Sequence, residues 1–263
     1  MKKNLNRLCA VLFILFSVIC SGSADFSEGK KAYDTKRYED ALKEFLPLAE
    51  KGNPEAQFYI GVLYYYGYAV SQDWQLAFEW FEKAARQKDV RGLYQASLLI
   101  LNQKVRQDDQ AQALMWLSEA AEGNYVPAQA TLGYLYLLGN KIAKDCRRAK
   151  NLLEAAAFAN DVSAQKYLFR YYSEGACQDV NYPLALMWLK KAADAGDEQA
   201  IYDLGVKYLL GVGMDPDWEQ AQFWFQKSVN LGNKRAIDIM DMYGLKRNEV
   251  LQRMHQLMPG LKK

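Results

Sequence analysis

The chain has 263 residues, of which 33 are Lys or Arg and 31 are Asp or Glu, so its formal net charge is only +2. Removing Lys2, Lys3 and Arg7, which lie in the predicted leader described next, leaves 30 basic against 31 acidic residues. Such a balance gives no electrostatic reason to expect nucleic acid or an anionic membrane surface as a partner.

Residues 1–24 have the pattern of a secretory signal peptide. A basic start precedes an apolar stretch from Leu8 to Ile19, and small residues follow up to Ala24, where we expect cleavage. The apolar stretch is too short for a comfortable membrane span. Cys20 raises the alternative of a lipoprotein, but Ile19 stands where a lipobox needs a small residue. We expect a periplasmic or secreted protein that is not inserted in the membrane after cleavage.

The rest of the chain is organised by a 36-residue period. A capping hairpin is predicted over residues 25–53, followed by five repeats at 54–89, 90–125, 126–161, 162–197 and 198–233. The landmarks that recur at this interval include Ala77, Ala113, Ala149, Ala185 and Ala221, together with Trp80, Trp116, Trp188 and Trp224. Leu152 occupies the third tryptophan position. A fixed period of this length is typical of solenoids.

Each repeat has the signals of two helices. In the first, an apolar-periodic stretch ends at Gly67, and Asp73 precedes a second such stretch as a predicted N-cap. Small residues such as Gly61 would let the two helices approach closely, and the recurring tryptophans are predicted core residues. The sequence therefore predicts an all-α, right-handed solenoid of antiparallel helix pairs.

The C-terminal residues 234–263 are predicted to form capping helices. The last of these helices would span residues 248–258 and carries His255, the only histidine. A lone helical histidine without positioned partners does not indicate acid–base catalysis. No nucleophile elbow, zinc-protease motif or phosphate-binding loop is present in the sequence.

Two cysteines, Cys146 and Cys177, remain after cleavage of the signal peptide. They lie near one junction between neighbouring repeats, and in an oxidising compartment such a pair often forms a disulfide. The alternative is two buried free thiols. Two cysteines and one distant histidine are too few for a metal site, so we expect no metal and no cofactor.

The repeat pattern resembles that of the Sel-one-like repeat family, which is related to tetratricopeptide repeats. The residues that carry the resemblance in the first repeat are Ala56, Ile60, Gly61, Tyr64, Gly67, Asp73, Trp74, Ala77, Trp80, Ala84 and Ala85. The likeness extends over roughly residues 54–233. It implies a scaffold that binds proteins, and relatives include periplasmic immunity proteins that block toxic effectors.

The resemblance also implies that the first helix of each repeat lines a concave groove. The residues that we expect to contact a partner there are Phe58, Tyr65, Tyr66, Tyr94, Leu98, Leu101, Tyr134, Arg170 and Tyr202. Tyrosine suits such a role because it offers a large contact area with a polar end. The alternative is that curvature of the solenoid buries many of these side chains.

Taken together, the sequence favours a non-enzymatic periplasmic interaction module. An immunity protein that neutralises a secreted effector is one form of this function, with a protein or peptide as partner and a monomeric free state. The alternatives are an envelope enzyme and a structural adaptor of a cell-envelope complex.

Overall fold

The computed structural model describes residues 24–106, 109–175 and 177–241 of the chain. Within these ranges all regular secondary structure is helical, which confirms the predicted all-α solenoid class. The helices are α1 Phe26–Asp34, α2 Tyr38–Glu50, α3 Pro54–Tyr66, α4 Trp74–Arg86, α5 Val90–Leu101, α6 Gln110–Glu122, α7 Val126–Leu138, α8 Cys146–Phe158, α9 Val162–Ser173, α10 Tyr182–Asp194, α11 Glu198–Leu210, α12 Trp218–Asn230 and α13 Lys234–Met240.

The helix boundaries follow from local capping. The Asp73 carboxylate accepts hydrogen bonds from the backbone N–H groups of Gln75 and Leu76, at 2.9 and 3.0 Å, and so caps the start of α4. Gly67 ends α3 in the left-handed conformation, with φ of 73°. A residue with a side chain is strained in that conformation, which is why glycine recurs at this position.

Glycines inside the first helices allow close contact with the second helices. A Cβ atom at Gly61 would lie 2.6 Å from the ring of Phe81, and one at Gly205 would lie 2.8 Å from Phe225. Both phenylalanine rings are fully buried. The predicted close approach of the helix pairs at these small residues is therefore confirmed.

The described residues form two compact units, one up to residue 116 and one from residue 117 onward. In the first unit, α1, α2, α3 and α4 each pack on the next helix along the chain. A core cluster between α1, α2 and α3 contains Ala41, Phe45, Ile60 and Leu63, all fully buried. The predicted N-terminal capping segment thus consists of α1 and α2, whose apolar faces are covered by the first repeat.

In the second unit, helices α7 to α13 also pack in chain order. One cluster joins α10, α11 and α12 through residues such as Leu189, Leu204 and Trp224. A second cluster joins α11, α12 and α13. Helix α13 begins the predicted C-terminal cap. The predicted helix at 248–258, His255 and the signal peptide up to residue 23 lie outside the described residues, and the right-handed sense of the solenoid stays a prediction.

At four junctions, the first residue of a second helix contacts the loop that follows the next first helix. In the first unit, the ring of Tyr38 stacks on that of Tyr68, with centroids 4.2 Å apart. At the next junction, the Lys104 ammonium lies 3.9 Å from the centre of the Trp74 ring. Each contact ties a repeat to its neighbour at the same place, once by stacking and once by a cation–π interaction.

The second unit makes similar contacts, with the loop residue one position later in the repeat register. Cys146, the first residue of α8, is joined by a disulfide to Cys177 in the loop after α9, with the two Cα atoms 5.5 Å apart. At the following junction, Tyr182 lies so close to Gly213 that a Cβ there would be 2.1 Å from the tyrosine Cβ. The disulfide is thus a covalent form of a contact that the fold makes repeatedly.

Candidate protein-binding surface

A continuous row of tyrosine rings lies on the first unit, and we call it the tyrosine row. It consists of Tyr33, Tyr38, Tyr65, Tyr66 and Tyr68. Neighbouring ring centroids are 5.7 Å apart from Tyr33 to Tyr38, 4.2 Å from Tyr38 to Tyr68, 5.2 Å from Tyr68 to Tyr66 and 4.8 Å from Tyr66 to Tyr65. Tyr66 is 55% exposed, and the other four are partly exposed.

Local backbone structure assembles this row. Tyr65 and Tyr66 end α3, and the left-handed Gly67 then reverses the chain, so that the N–H of Tyr68 donates a 2.9 Å hydrogen bond to the carbonyl of Leu63. This reversal brings Tyr68 back beside Tyr66, where the two rings stack. The glycine that ends the helix therefore also positions an aromatic contact.

The surroundings of Tyr33 and Tyr38 favour the neutral form of their hydroxyl groups. Burial, together with the smaller effect of the nearby phenol groups of Tyr38 and Tyr68, raises the pKa of Tyr33 to about 12. Burial also raises the pKa of Tyr38 above its usual value. The row thus combines flat apolar rings with hydroxyl groups that can donate or accept hydrogen bonds.

The other predicted contact residues of the first unit differ in exposure. Phe58, Tyr94 and Leu98 are partly exposed, whereas Leu101 is only 5% exposed. The Arg91 guanidinium lies 4.7 Å from the centre of the Phe58 ring. Because that cation covers one face of the ring, Phe58 offers less apolar surface than its position predicts.

In the second unit, the predicted residues Tyr134 and Arg170 belong to one polar cluster. The Tyr134 ring stacks on Tyr167 with centroids 4.0 Å apart, and the Arg170 Nη1 donates a 3.3 Å hydrogen bond to the Tyr134 hydroxyl. Arg170 Nε also donates to the Glu174 carboxylate at 2.8 Å, and this bond raises the pKa of the guanidinium. The cluster is therefore a charged surface with one stacked aromatic pair.

Two of the predicted contact residues are corrected by the structure. Leu101 and Tyr202 are 5% and 4% exposed, so neither offers surface to a partner. Tyr202 packs with Phe225 and with residues of α13 in a core cluster. The resemblance to tetratricopeptide-like repeats predicted that Tyr202 lies on an open face. Helix α13, however, continues the stack and covers that face.

Sequence reasoning also missed three members of the tyrosine row, namely Tyr33, Tyr38 and Tyr68. Tyr38 lies one period before Trp74, so the repeat register could have identified it. Tyr33 and Tyr68 lie in the cap and in a loop, outside the first-helix positions from which the groove was predicted. Their proximity becomes visible only when the helices are packed.

The described residues contain no group of three or more His, Cys, Asp or Glu side chains arranged to hold a metal ion. Over the same residues, no helix is both long and apolar enough to cross a bilayer. The surface features of these residues are aromatic rings, hydroxyl groups and ion pairs, which are the usual constituents of protein-binding surfaces.

Comparison with known proteins agrees with the repeat register. The Sel1 repeat matches residues 54–89, 91–125, 126–161, 162–197 and 198–233. A Sel1 repeat protein from Oxalobacter formigenes is 28% identical, with a TM-score of 0.75 over 89% of this chain and 98% of that one.

Two further solved structures share the fold. A protective antigen from uropathogenic Escherichia coli is 27% identical, with a TM-score of 0.70 over 82% of this chain, which spans only 48% of that longer protein. An immunity protein from Pseudomonas aeruginosa is 19% identical, with a TM-score of 0.55 over 86% of this chain and 90% of that one. Because five consecutive matches cover most of the chain, this protein belongs to the Sel1 repeat family.

Proposed function

We propose that this protein is an exported, non-enzymatic interaction module that binds one protein partner in the cell envelope, and that the partner is a secreted toxic effector which it neutralises. Sel1 repeat proteins are protein-interaction scaffolds, which supports the first part. The immunity protein from Pseudomonas aeruginosa supports the second only in that it has the same fold. The tyrosine row is the observation that carries the proposal.

The tyrosine row has the composition of a binding hot spot. Tyrosine is enriched among interface residues that dominate affinity, because a ring buries much area while losing little conformational entropy. Within the row, Tyr66 is 55% exposed and stacks on Tyr68, which itself stacks on Tyr38. The rings are therefore held in place before any partner arrives, which lowers the entropic cost of binding.

Export is supported by two independent features. Residues 1–24 have the signal-peptide pattern, and the disulfide between Cys146 and Cys177 requires an oxidising compartment to persist. A periplasmic location places the protein where effectors delivered into the envelope would be met.

Replacing Tyr65 and Tyr66 together by Ala is expected to weaken partner binding by about 2 kcal/mol or more, which is roughly 30-fold in Kd. The reason is the loss of two partly exposed rings from the row without emptying a core site. The tagged protein is used as bait in periplasmic extract of the source organism, and the affinity of the captured stoichiometric partner is measured by calorimetry.

The matched control is Phe223→Ala, which removes another exposed ring, 51% accessible, on the second helix α12. It should leave the affinity unchanged. If the variant with both Tyr65 and Tyr66 replaced binds the partner as tightly as the wild type, and its circular dichroism is unchanged, the row has no role in partner binding. A turnover of envelope material by the purified protein would instead favour the enzyme alternative.

Expression of the full chain in a Gram-negative host is expected to yield a periplasmic protein whose first residue is Asp25. Intact-mass analysis of the periplasmic fraction checks this directly. A mass that retains Met1 would contradict export by cleavage after Ala24. A lipid-modified species beginning at Cys20 would show that the lipoprotein alternative is correct and would relocate the protein to a membrane surface.

A further inference from the structure

The second helix of every repeat except the third has a tryptophan at the same position. In the second and fourth repeats the indole packs on the second helix of the preceding repeat. Trp116 lies 6.3 Å from the Phe78 ring of α4, and Trp188 lies 5.4 Å from the Phe158 ring of α8, measured between centroids. Both indoles are buried, at 8% and 2% exposure. A bulky ring at this position therefore fills the space between consecutive repeats.

In the third repeat, Leu152 stands at this position, and the space beside it is a cavity of about 320 Å³ that opens to solvent. Its apolar wall is formed by Leu132 and Tyr136 of α7, Ala121 of α6 and Leu152 itself. The cavity thus lies between the preceding second helix and the helices of its own repeat, where the other repeats place an indole. Its volume is at the lower end of the range for ligand pockets.

Polar side chains also line this cavity. Arg148 Nη1 donates a 2.9 Å hydrogen bond to the Tyr136 hydroxyl, and Ser118 Oγ donates a 3.2 Å bond to the Glu122 carboxylate. Asn151 completes the rim. Glu122 and Asn151 supply hydrogen-bond acceptors at the mouth, next to an apolar wall. This combination matches an indole, which is apolar except for a single N–H donor.

The equivalent indole of the fifth repeat provides a contrast. Trp224 is 2% exposed, and within the described residues its Nε1 has no hydrogen-bond acceptor. The cavity beside Leu152 would hold an indole against its apolar wall and, in addition, place acceptors near its N–H. A partner indole is therefore better satisfied there than the chain's own indole is in the fifth repeat.

We propose that this cavity, which we call the Leu152 pocket, binds a tryptophan side chain presented by another polypeptide. This proposal rests on the proposed function as a protein-binding module and adds a second contact on the second-helix side of the repeats. Tryptophan is the residue most typical of interface anchors that enter a preformed pocket. The repeat register explains the shape of the pocket, because the other repeats place a tryptophan side chain at the position of Leu152.

The test uses N-acetyltryptophan amide as the probe and methyl NMR of the oxidised protein as the readout. Titration is expected to shift the Leu132 and Leu152 methyl signals saturably at concentrations up to about 10 mM, the range of a single anchored side chain. N-acetylleucine amide at the same concentrations should leave them unshifted. Because the probe is a small molecule, failure of the tyrosine row to bind a protein would not affect this result.

Leu152→Trp is the variant that separates the pocket from non-specific binding. The introduced indole should fill the cavity from within, raise the Tm by about 2 °C or more and abolish the probe-induced shift at Leu132. Leu152→Phe introduces a smaller ring and provides the same test if the Leu152→Trp variant fails to fold. The proposal is overturned if the probe shifts neither methyl signal, if the leucine probe acts equally, or if the Leu132 shift persists in the filled variants.

Discussion

Trp116→Ala is expected to lower the free energy of unfolding by about 3–5 kcal/mol, the usual cost of emptying a buried aromatic site. Trp116 is 8% exposed and packs against Phe78 across the junction between the first and second repeats. Its neighbours Ala113 and Leu117 are fully buried, so the helix has little freedom to collapse into the space left. Urea unfolding followed by circular dichroism measures the change.

Met115→Ala is the matched control for this substitution. Met115 is the preceding residue on the same helix but is 56% exposed, and its truncation should change stability by no more than about 0.5 kcal/mol. Comparable losses for the two variants would mean that the indole is not a packing element between repeats. The same result would weaken the argument that the Leu152 pocket is shaped for an indole.

Replacing Cys146 and Cys177 together by Ser is expected to destabilise the oxidised protein by about 3–4 kcal/mol. The disulfide closes a loop with a sequence separation of 31 residues, and the loss of loop-closure entropy in the unfolded chain for that size gives this magnitude. The bond lies at a junction between repeats, so its removal also frees the start of α8 from the loop after α9. Urea unfolding of both proteins without reductant measures the difference.

Reduction supplies the internal control for the disulfide. Wild-type protein unfolded in excess dithiothreitol should approach the stability of the double serine variant, whereas the variant itself should not respond to the reductant. If the reduced and oxidised wild-type proteins unfold at the same urea concentration, the disulfide does not contribute to stability. Mass analysis after thiol alkylation establishes the oxidation state in each sample.

The junction contacts explain why the cysteine pair occurs where it does. In the first unit the corresponding contacts are the Tyr38 and Tyr68 stack and the Trp74 and Lys104 cation–π pair, whose loop residues lie one register position before that of Cys177. Since the fold already brings these positions together, two cysteines there need no further movement of the backbone. The sequence placed both cysteines near one junction but left their pairing open, because the distance between their Cα atoms depends on how the repeats pack.

The helices were predictable from sequence because their determinants are local. Gly67 and Asp73 end one helix and begin the next through contacts with residues a few positions away, and the 36-residue register repeats such signals along the chain. Gly61 predicted a close approach of the two helices of the repeat, because a residue without Cβ recurs on the face that meets the second helix. The Sel1 repeat matches follow this register.

The exposure of the candidate contact residues was less predictable. Tyr66 and Tyr202 both lie on first helices at positions assigned to the groove, yet one is 55% exposed and the other 4%. The difference arises because α13 covers Tyr202, whereas Tyr66 contacts the rings of Tyr65 and Tyr68 and keeps its other side exposed. Position within a repeat does not determine how much of its surface the neighbouring elements cover.

By itself, then, the sequence determined the repeat length, the paired helices and their caps, because hydrophobic periodicity and capping act within a few residues of each other. Only the tertiary structure decided which tyrosines form a row, that the two cysteines bond and that Leu152 leaves a cavity. Each of these depends on side chains from different helices meeting in space. Such distances are set by the packing of whole helices, which no local pattern specifies.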